Sequence, residues 1–305
     1  MNKPIVKWVG GKTQILNTVL STFPLVINNY YEPFVGGSSV LIGVLLLLKK
    51  KKIEIKGSIY ANDINVALIG LYKNIQLRVD FFMVEINILV TQYNSIEGDI
   101  VDRKAKTIEA AITSKESYYY YMRHMYNTTP QKDSITASAL FMFINKTCFR
   151  GMHREGPNGF NVPFGNYKRL NIEEKHIRAF SLLVKDVIFT STNYAEALTN
   201  IGNGDFIYLD PPYAPINDKS FVSYNSTGFD AKEHNNLFQY CNSLEEKKIK
   251  FVMSNAETEL VKTSFNKYNK QIISCRRAIN SKKPESKVNE LLIDNFTPIS
   301  ALPNQ

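Results

Sequence analysis

Phe206-Ile207-Tyr208-Leu209-Asp210-Pro211-Pro212-Tyr213 is the stretch on which the reading of this chain turns. Consecutive apolar and aromatic residues followed by an acid read as a strand buried on both faces. The strand must stop at Asp210, because neither Pro211 nor Pro212 can donate to a sheet ladder. A carboxylate and the phenol of Tyr213 are therefore presented at the carboxyl end of a buried strand, where open α/β sheets bind their ligands. For an arbitrary Asp-Pro pair, a turn with Asp210 as turn former is the better reading. The rest of the chain decides against it.

Tyr30-Tyr31-Glu32-Pro33-Phe34-Val35-Gly36-Gly37-Ser38-Ser39-Val40 joins an aromatic strand to a glycine loop and then to an apolar helix over 41–48. Strand, glycine loop and helix open a doubly wound α/β unit. Glycines let backbone approach a ligand and a helix N-terminus offers free amides, so Phe34, Val35, Gly36, Gly37 and Ser38 form a candidate binding loop. Lys49 to Lys52 close the helix and complement its dipole. The loop is not GxGxxG and is weak alone. It gains weight from the next strand, Ser58-Ile59-Tyr60-Ala61-Asn62-Asp63. An acid at that point can accept from both hydroxyls of a ribose. Asp63, with Ile64 beside it, is either that acceptor or a helix N-cap.

Lys7-Trp8-Val9-Gly10-Gly11-Lys12-Thr13 ends like a phosphate loop, but the first glycine of that motif would fall at Val6, which excludes it. What remains is a tight turn with two lysines and a tryptophan, leading to helical spacing at Ile15, Leu16, Val19 and Leu20. It is either a binding turn or a helix-capping one.

From Ile64 to Ser134 apolar residues recur at helical spacing, as at Leu68, Leu71, Tyr72 and Ile75. Tyr118 to Tyr121 spread around one helical turn, which places two in the core and two at the surface. Asp133 and Ser134 can cap a helix running through Ala137, Leu140, Phe141 and Ile144. The segment 145–169 is different. It is rich in glycine, yet carries Arg150, Arg154, Lys168 and Arg169 among Phe149, Met152 and Phe160, with Asn161 in its second half. Loops that read nucleic acid need donors for base edges, apolar wedges for disturbed steps and cations for phosphates. An ordinary hairpin is the competing reading.

Beyond 169 the α/β pattern resumes. Asp186 to Phe189 reads as a strand, 214–229 as a polar loop long enough to be a lid, and Lys250 to Asn255 as a strand. Two strands, 271–275 and 288–293, flank a basic loop containing Arg276 and Arg277. That loop is either a solvated hairpin tip or a second contact to a nucleic-acid backbone.

With 305 residues, 44% hydrophobic and 21% charged, the composition is ordinary for a globular protein of one or two domains. The formal charge of +9 favours a polyanionic partner. Cys148, Cys241 and Cys275 lie far apart and the histidines are scattered, which argues against a disulfide framework and against a metal site. The apolar run Val40 to Leu48 is less than half the ~20 residues a membrane span needs. The opening Met1-Asn2-Lys3-Pro4 is not a signal peptide. The expectation is a soluble intracellular protein, cytoplasmic in a prokaryotic or viral setting.

These motifs together resemble the Dam-type DNA adenine-N6 methyltransferases, in which the cofactor motif comes first and DPPY last. The resemblance spans nearly the whole chain. It rests on Lys7 to Lys12, Phe34 to Val40, Asn62 to Asn65, Asn145 to Tyr167 and Asp210-Pro-Pro-Tyr-Ala-Pro215, with Ser254-Asn255 and Arg276-Arg277 in support. It implies a Rossmann-like S-adenosylmethionine methyltransferase domain, 1–70 and 170–305, with a mostly helical target-recognition domain inserted at 71–169. It also implies S-adenosyl-L-methionine as cofactor and double-stranded DNA as substrate.

By the same resemblance Trp8, Gly10, Gly11, Lys12, the Phe34–Ser38 loop, Asp63, Ile64 and Asp210 border the cofactor. Asp210, Pro211, Pro212 and Tyr213 are catalytic. Lys7, Phe149, Arg150, Met152, Arg154, Asn161, Lys168, Arg276 and Arg277 are the candidates for DNA contact. A short palindrome such as GATC is an implied target, and a restriction endonuclease a functional rather than physical partner of a monomer or weak dimer. The family's usual Asn and Leu are replaced here by Arg150 and Met152, and its frequent Ala-Gly by Gly37-Ser38. The first change leaves the target sequence open. RNA adenine methylation, protein amide methylation and a silent DNA-binding protein are the rival readings.

Overall fold

Every residue of the strand Phe206–Leu209 is buried, and a parallel neighbour lies on each side of it in the sheet. Tyr30–Glu32 pairs with it through Tyr30 and Phe206, and Lys250–Ala256 through Phe206 and Lys250. The strand's two faces are covered as well, Ile207 and Leu209 by the cluster that includes Leu237 and Phe251 and Phe206 and Tyr208 by Phe23, which accounts for its unbroken apolar run. The computed structural model describes residues 3–214, 229–276 and 287–296. The expected lid over 214–229, apart from its two end residues, and Arg277 lie outside them.

The chain forms two compact units. The first comprises Met1–Gly11, Gly36–Ile42 and Asp63–Ser191; the second comprises Lys12–Val35, Gly43–Asn62 and Thr192–Gln305.

The second unit carries a mixed sheet. Its strands follow the order Asn269–Arg276, Lys287–Asp294, Lys250–Ala256, Phe206–Leu209, Tyr30–Glu32, Ile59–Asn62. The last four run parallel, and the first two form an antiparallel hairpin joined to Lys250–Ala256. Tyr30–Glu32 therefore has Ile59–Asn62 on one side and Phe206–Leu209 on the other. The order reverses there, and the carboxyl ends at Glu32 and Leu209 flank a topological switch point, the place where such sheets open a crevice. The helix Ala231–Glu246 buries Leu237, Phe238, Cys241 and Leu244 against Ile207, Leu209, Phe251 and Met253. Apolar residues at that spacing form one stripe of a helix.

The first unit is mostly helical. Its long helix, Val66–Ser95, is capped by Asn65, whose side chain accepts from the Leu68 amide, and it breaks from helical geometry at Arg78. Lys115–Thr128 and Ile135–Thr147 belong to the same unit, with Tyr93, Tyr118 and Phe143 in mutual ring contact at their core. Tyr118 and Tyr119 are buried while Tyr120 and Tyr121 stay half-buried, as the helical turn requires. Ser134 caps Ile135–Thr147 by accepting from the Ala137 amide.

Candidate functional site

In the second unit, Asp210 stands at the end of its strand with a cation already against it. Lys12 comes from a tight turn over Lys12–Gln14. Its Nζ lies 2.7 Å from Asp210 Oδ1, with the Lys12 side chain only 3% exposed and Asp210 20%. Burial pushes the Asp210 carboxyl up to about 6; the Lys12 ammonium opposes the rise and the Glu290 carboxylate adds to it. The same ammonium sits 4.9 Å from the centre of the Tyr213 ring. The Tyr213 hydroxyl donates to Glu290 Oε2 at 2.7 Å. Burial and the neighbouring carboxylates of Asp210 and Glu290 keep that phenol protonated.

Asn255, buried at the end of its strand, fixes the backbone just beyond Tyr213. Its Oδ1 accepts from the amides of Ala214 at 3.0 Å and Ala256 at 2.8 Å. Its Nδ2 is buried and has no hydrogen-bond partner among the described residues. Asn62 ties neighbouring strand ends together: its Nδ2 donates to the Pro33 and Thr192 carbonyls, and its Oδ1 accepts from the Thr192 amide. Phe34, from the same strand end, meets Tyr194 and Phe229 with ring centres 5.5 and 5.9 Å apart.

In the first unit the glycine loop and Asp63 are joined directly. Gly36 has φ +44°, and its amide donates to Asp63 Oδ2 at 3.0 Å. The Asn65 amide donates to Oδ1 at 2.9 Å. Burial raises the Asp63 carboxyl, and these two amides and His153 oppose the rise. Of the two readings open for Asp63, the helix cap falls to Asn65. Trp8 covers the loop so closely that a Cβ on Gly36 or Gly37 would come within 2.9 Å of it. The Tyr72 hydroxyl donates to the Gly36 carbonyl at 2.6 Å. Ser38 has φ +62° and Gly10 φ +80°, and Ile64 exposes 70% of its surface.

The 145–169 segment folds as a turn followed by a hairpin. Phe149–Gly151 is a 3-10 turn in which Arg150 takes φ 57°, and the hairpin pairs Glu155–Gly156 with Gly159–Phe160. Phe149 is 45% exposed, with the Arg150 guanidinium 5.2 Å from its ring centre. Lys7 joins this group: its amide donates to Asn145 Oδ1 at 2.9 Å and its Nζ to the Tyr167 hydroxyl at 3.0 Å. A Cβ on Gly151 would overlap the Lys7 side chain. Arg154 and Asn161 pair across the hairpin base, Nε to Oδ1 at 2.5 Å and Nη2 to the carbonyl at 3.2 Å. Met152 is half-buried, and Lys168 and Arg169 are exposed.

Lys7, Phe149, Arg150, Met152, Arg154 and Asn161 all belong to the first unit. Arg276 lies on the strand Asn269–Arg276, opposite Lys287. Sequence reasoning missed Glu290 and His153. Glu290 reaches Tyr213 only through pairing of its strand with Lys250–Ala256, which no local signal announces. His153 stacks on Trp8 with ring centres 5.0 Å apart, and its place between Met152 and Arg154 was the only available hint.

The chain is similar to known proteins over nearly its whole length. A relative from Methanocaldococcus jannaschii, described as the type II methyltransferase M.MjaIII, is 31% identical over 306 aligned residues, covering 96% of this chain and 99% of that protein. A DNA adenine methylase of Serratia marcescens is 28% identical, with 95% and 97% covered. One from Escherichia coli is 27% identical, with 95% and 94% covered. Residues 8–279 match the family model described as D12 class N6 adenine-specific DNA methyltransferase. The match takes in the Trp8 turn, the glycine loop, the hairpin and DPPY, so the chain belongs to the D12 class of N6 adenine-specific DNA methyltransferases.

Proposed function

We propose that this DNA methyltransferase moves a methyl group from S-adenosyl-L-methionine to N6 of an adenine flipped out of duplex DNA. The observation that carries this reading is the Asp210 carboxylate at the end of a buried parallel strand, ion-paired to a buried lysine and locked by two prolines. Adenine N6 is a poor nucleophile because its lone pair is delocalised into the ring. Asp210 and the Pro211 carbonyl can each accept one N6 hydrogen, which favours the pyramidal nitrogen that attacks. Lys12 favours the ionised form of Asp210, so that the carboxylate accepts rather than donates. The negative charge of the Asp210 carboxylate also offsets positive charge growing on N6.

The first unit fits a nucleoside donor. A carboxylate has about four acceptor sites, and the two amides on Asp63 leave oxygen positions for ribose hydroxyls. Ile64 offers an exposed apolar surface beside it for a base. When bound, S-adenosyl-L-methionine supplies an electrophilic methyl on a sulfonium. Gly36, Gly37, Ser38 and Trp8 hold its approach to the backbone, and Gly10, Gly11, Phe34 and Val35 complete the set of binding residues.

An adenine inside a duplex cannot reach Asp210, so the base is extruded at a cost of a few kcal/mol. Tyr213 stacks on it, and an aromatic–base stack returns roughly 1–3 kcal/mol. Residues 71–169 read the target, with Phe149 or Met152 filling the vacated step. Arg150, Arg154, Asn161, Lys7 and Lys168 contact bases or phosphates, and Arg276 and Arg277 add a second backbone contact. The target is a short palindrome, GATC or a relative altered at the base Arg150 reads. The enzyme acts as a monomer or weak dimer, with a restriction endonuclease as functional partner.

The test is methylation of duplex DNA, single-stranded DNA and RNA in parallel, together with sequencing that maps modified adenines. N6-methyladenine at one short motif in duplex DNA is expected. Preferential modification of RNA would sink the proposal.

A further inference from the structure

His153 is held on several sides by residues of the first unit. Its ring stacks on Trp8 at 5.0 Å and 28°, and Phe141 and Phe160 meet its edges with centres 5.8 and 5.6 Å away. Its Nε2 faces two partners of opposite kind: Asn65 Nδ2, a donor, at 3.4 Å and Glu155 Oε1, an acceptor, also at 3.4 Å. One ring nitrogen cannot satisfy both at once. Unprotonated it accepts from Asn65, and protonated it donates to Glu155.

Each contact leads somewhere different. Trp8 lies against Gly36 and Gly37. The Asn65 amide bonds to Asp63. Glu155 begins the hairpin, and His153 itself is flanked by Met152 and Arg154.

We infer that His153 is a positioning residue linking occupancy of the 149–161 loop by DNA to the hold on the methyl donor, through Trp8 on the glycine loop and through Asn65 on Asp63. Contact of Arg154 or Met152 with DNA moves the backbone on both sides of His153. The ring then shifts on Trp8, and Nε2 changes its balance between Asn65 and Glu155. Both glycine loop and ribose acceptor respond, and the coupling is reciprocal, so bound donor also favours the DNA-competent loop. The inference rests on the proposed cofactor role of the Gly36 loop and Asp63.

Trp8 is the sole tryptophan, so intrinsic fluorescence reports this site alone. The experiment titrates S-adenosylhomocysteine into the full-length protein with and without saturating duplex bearing the mapped target. The wild type should show a change in Trp8 emission on binding, and the duplex should alter the Kd by about fivefold or more. In His153→Ala the duplex effect should fall below about twofold. Duplex affinity and kcat at saturating donor should hold, so that the loss appears in the donor KM.

His153→Phe keeps a ring in the cage without Nε2 and should retain part of the coupling. Glu155→Gln, at the exposed side, should weaken it; these two variants carry the test if His153→Ala does not fold. Coupling of wild-type size in all variants overturns the relay. Emission in the wild type that ignores S-adenosylhomocysteine removes Trp8 from the cofactor site, and the relay with it; intact coupling sensed elsewhere leaves only the relay refuted.

Discussion

Asp210 is the stronger acceptor for N6 hydrogens, and carries the charge that offsets the developing ammonium, when ionised, and burial pushes its carboxyl up to about 6. Turnover under saturating conditions should therefore rise with pH through about 6 and level above it. Lys12→Met removes the ammonium that opposes the rise, and the profile should move upward by about one pH unit, equivalent to ~1.4 kcal/mol. A pH–rate series on both proteins checks this, and an unmoved profile would separate Lys12 from Asp210. Arg150→Asn restores the family's usual residue and should relax or change selectivity at one base by about 1–3 kcal/mol, read by sequencing methylated libraries. Asp210 was legible in the sequence because two prolines halt an apolar strand at an acid. Lys12 was found, but as a neighbour of the cofactor. Its spacing from Gly10 and Gly11 says nothing of an acid nearly two hundred positions later, and Glu290 left no trace at all for the same reason.

The elements that carry these residues were legible in proportion to how locally they are specified. The parallel strands show as apolar runs, and the helix Ile135–Thr147 announces its cap at Ser134. The glycine loop was recognisable as a loop, but its closure by Trp8 is a tertiary packing fact. Gly36→Ala places a side chain at φ +44° and within 2.9 Å of the Trp8 ring. Strain at such a position costs of order 1–3 kcal/mol, so donor affinity should fall about tenfold or more while DNA binding persists. Calorimetric titration of S-adenosylhomocysteine measures it; unchanged affinity would remove the loop from the cofactor site. Asn255→Ala leaves the Ala214 and Ala256 amides without the side-chain acceptor they share. Each buried unsatisfied group costs roughly 1–3 kcal/mol, so the variant should melt earlier and lose turnover as Tyr213 loosens. A thermal melt and a steady-state assay together check that expectation.

Across the whole molecule the positive charge of +9 is consistent with a polyanionic substrate. Arg154, Lys168 and Arg169 are exposed and lie in the segment proposed above to contact DNA. Affinity for duplex should fall linearly on a log–log plot against salt. Replacing Lys168 and Arg169 together by Ala should reduce the slope by about 2 if each neutralises one phosphate. No described helix is long and apolar enough to cross a membrane. The α/β class was visible in the order of strands, glycine loops and helices. Each of the two compact units gathers segments far apart in the chain.

The central claim is that Asp210 activates the adenine amino group, and single-turnover transfer of labelled methyl from S-adenosyl-L-methionine to duplex DNA tests it most directly. Wild type should form N6-methyladenine, whereas Asp210→Ala should bind duplex within about threefold of wild type yet transfer at least about 10²-fold more slowly. Near-normal transfer by that variant would contradict the account.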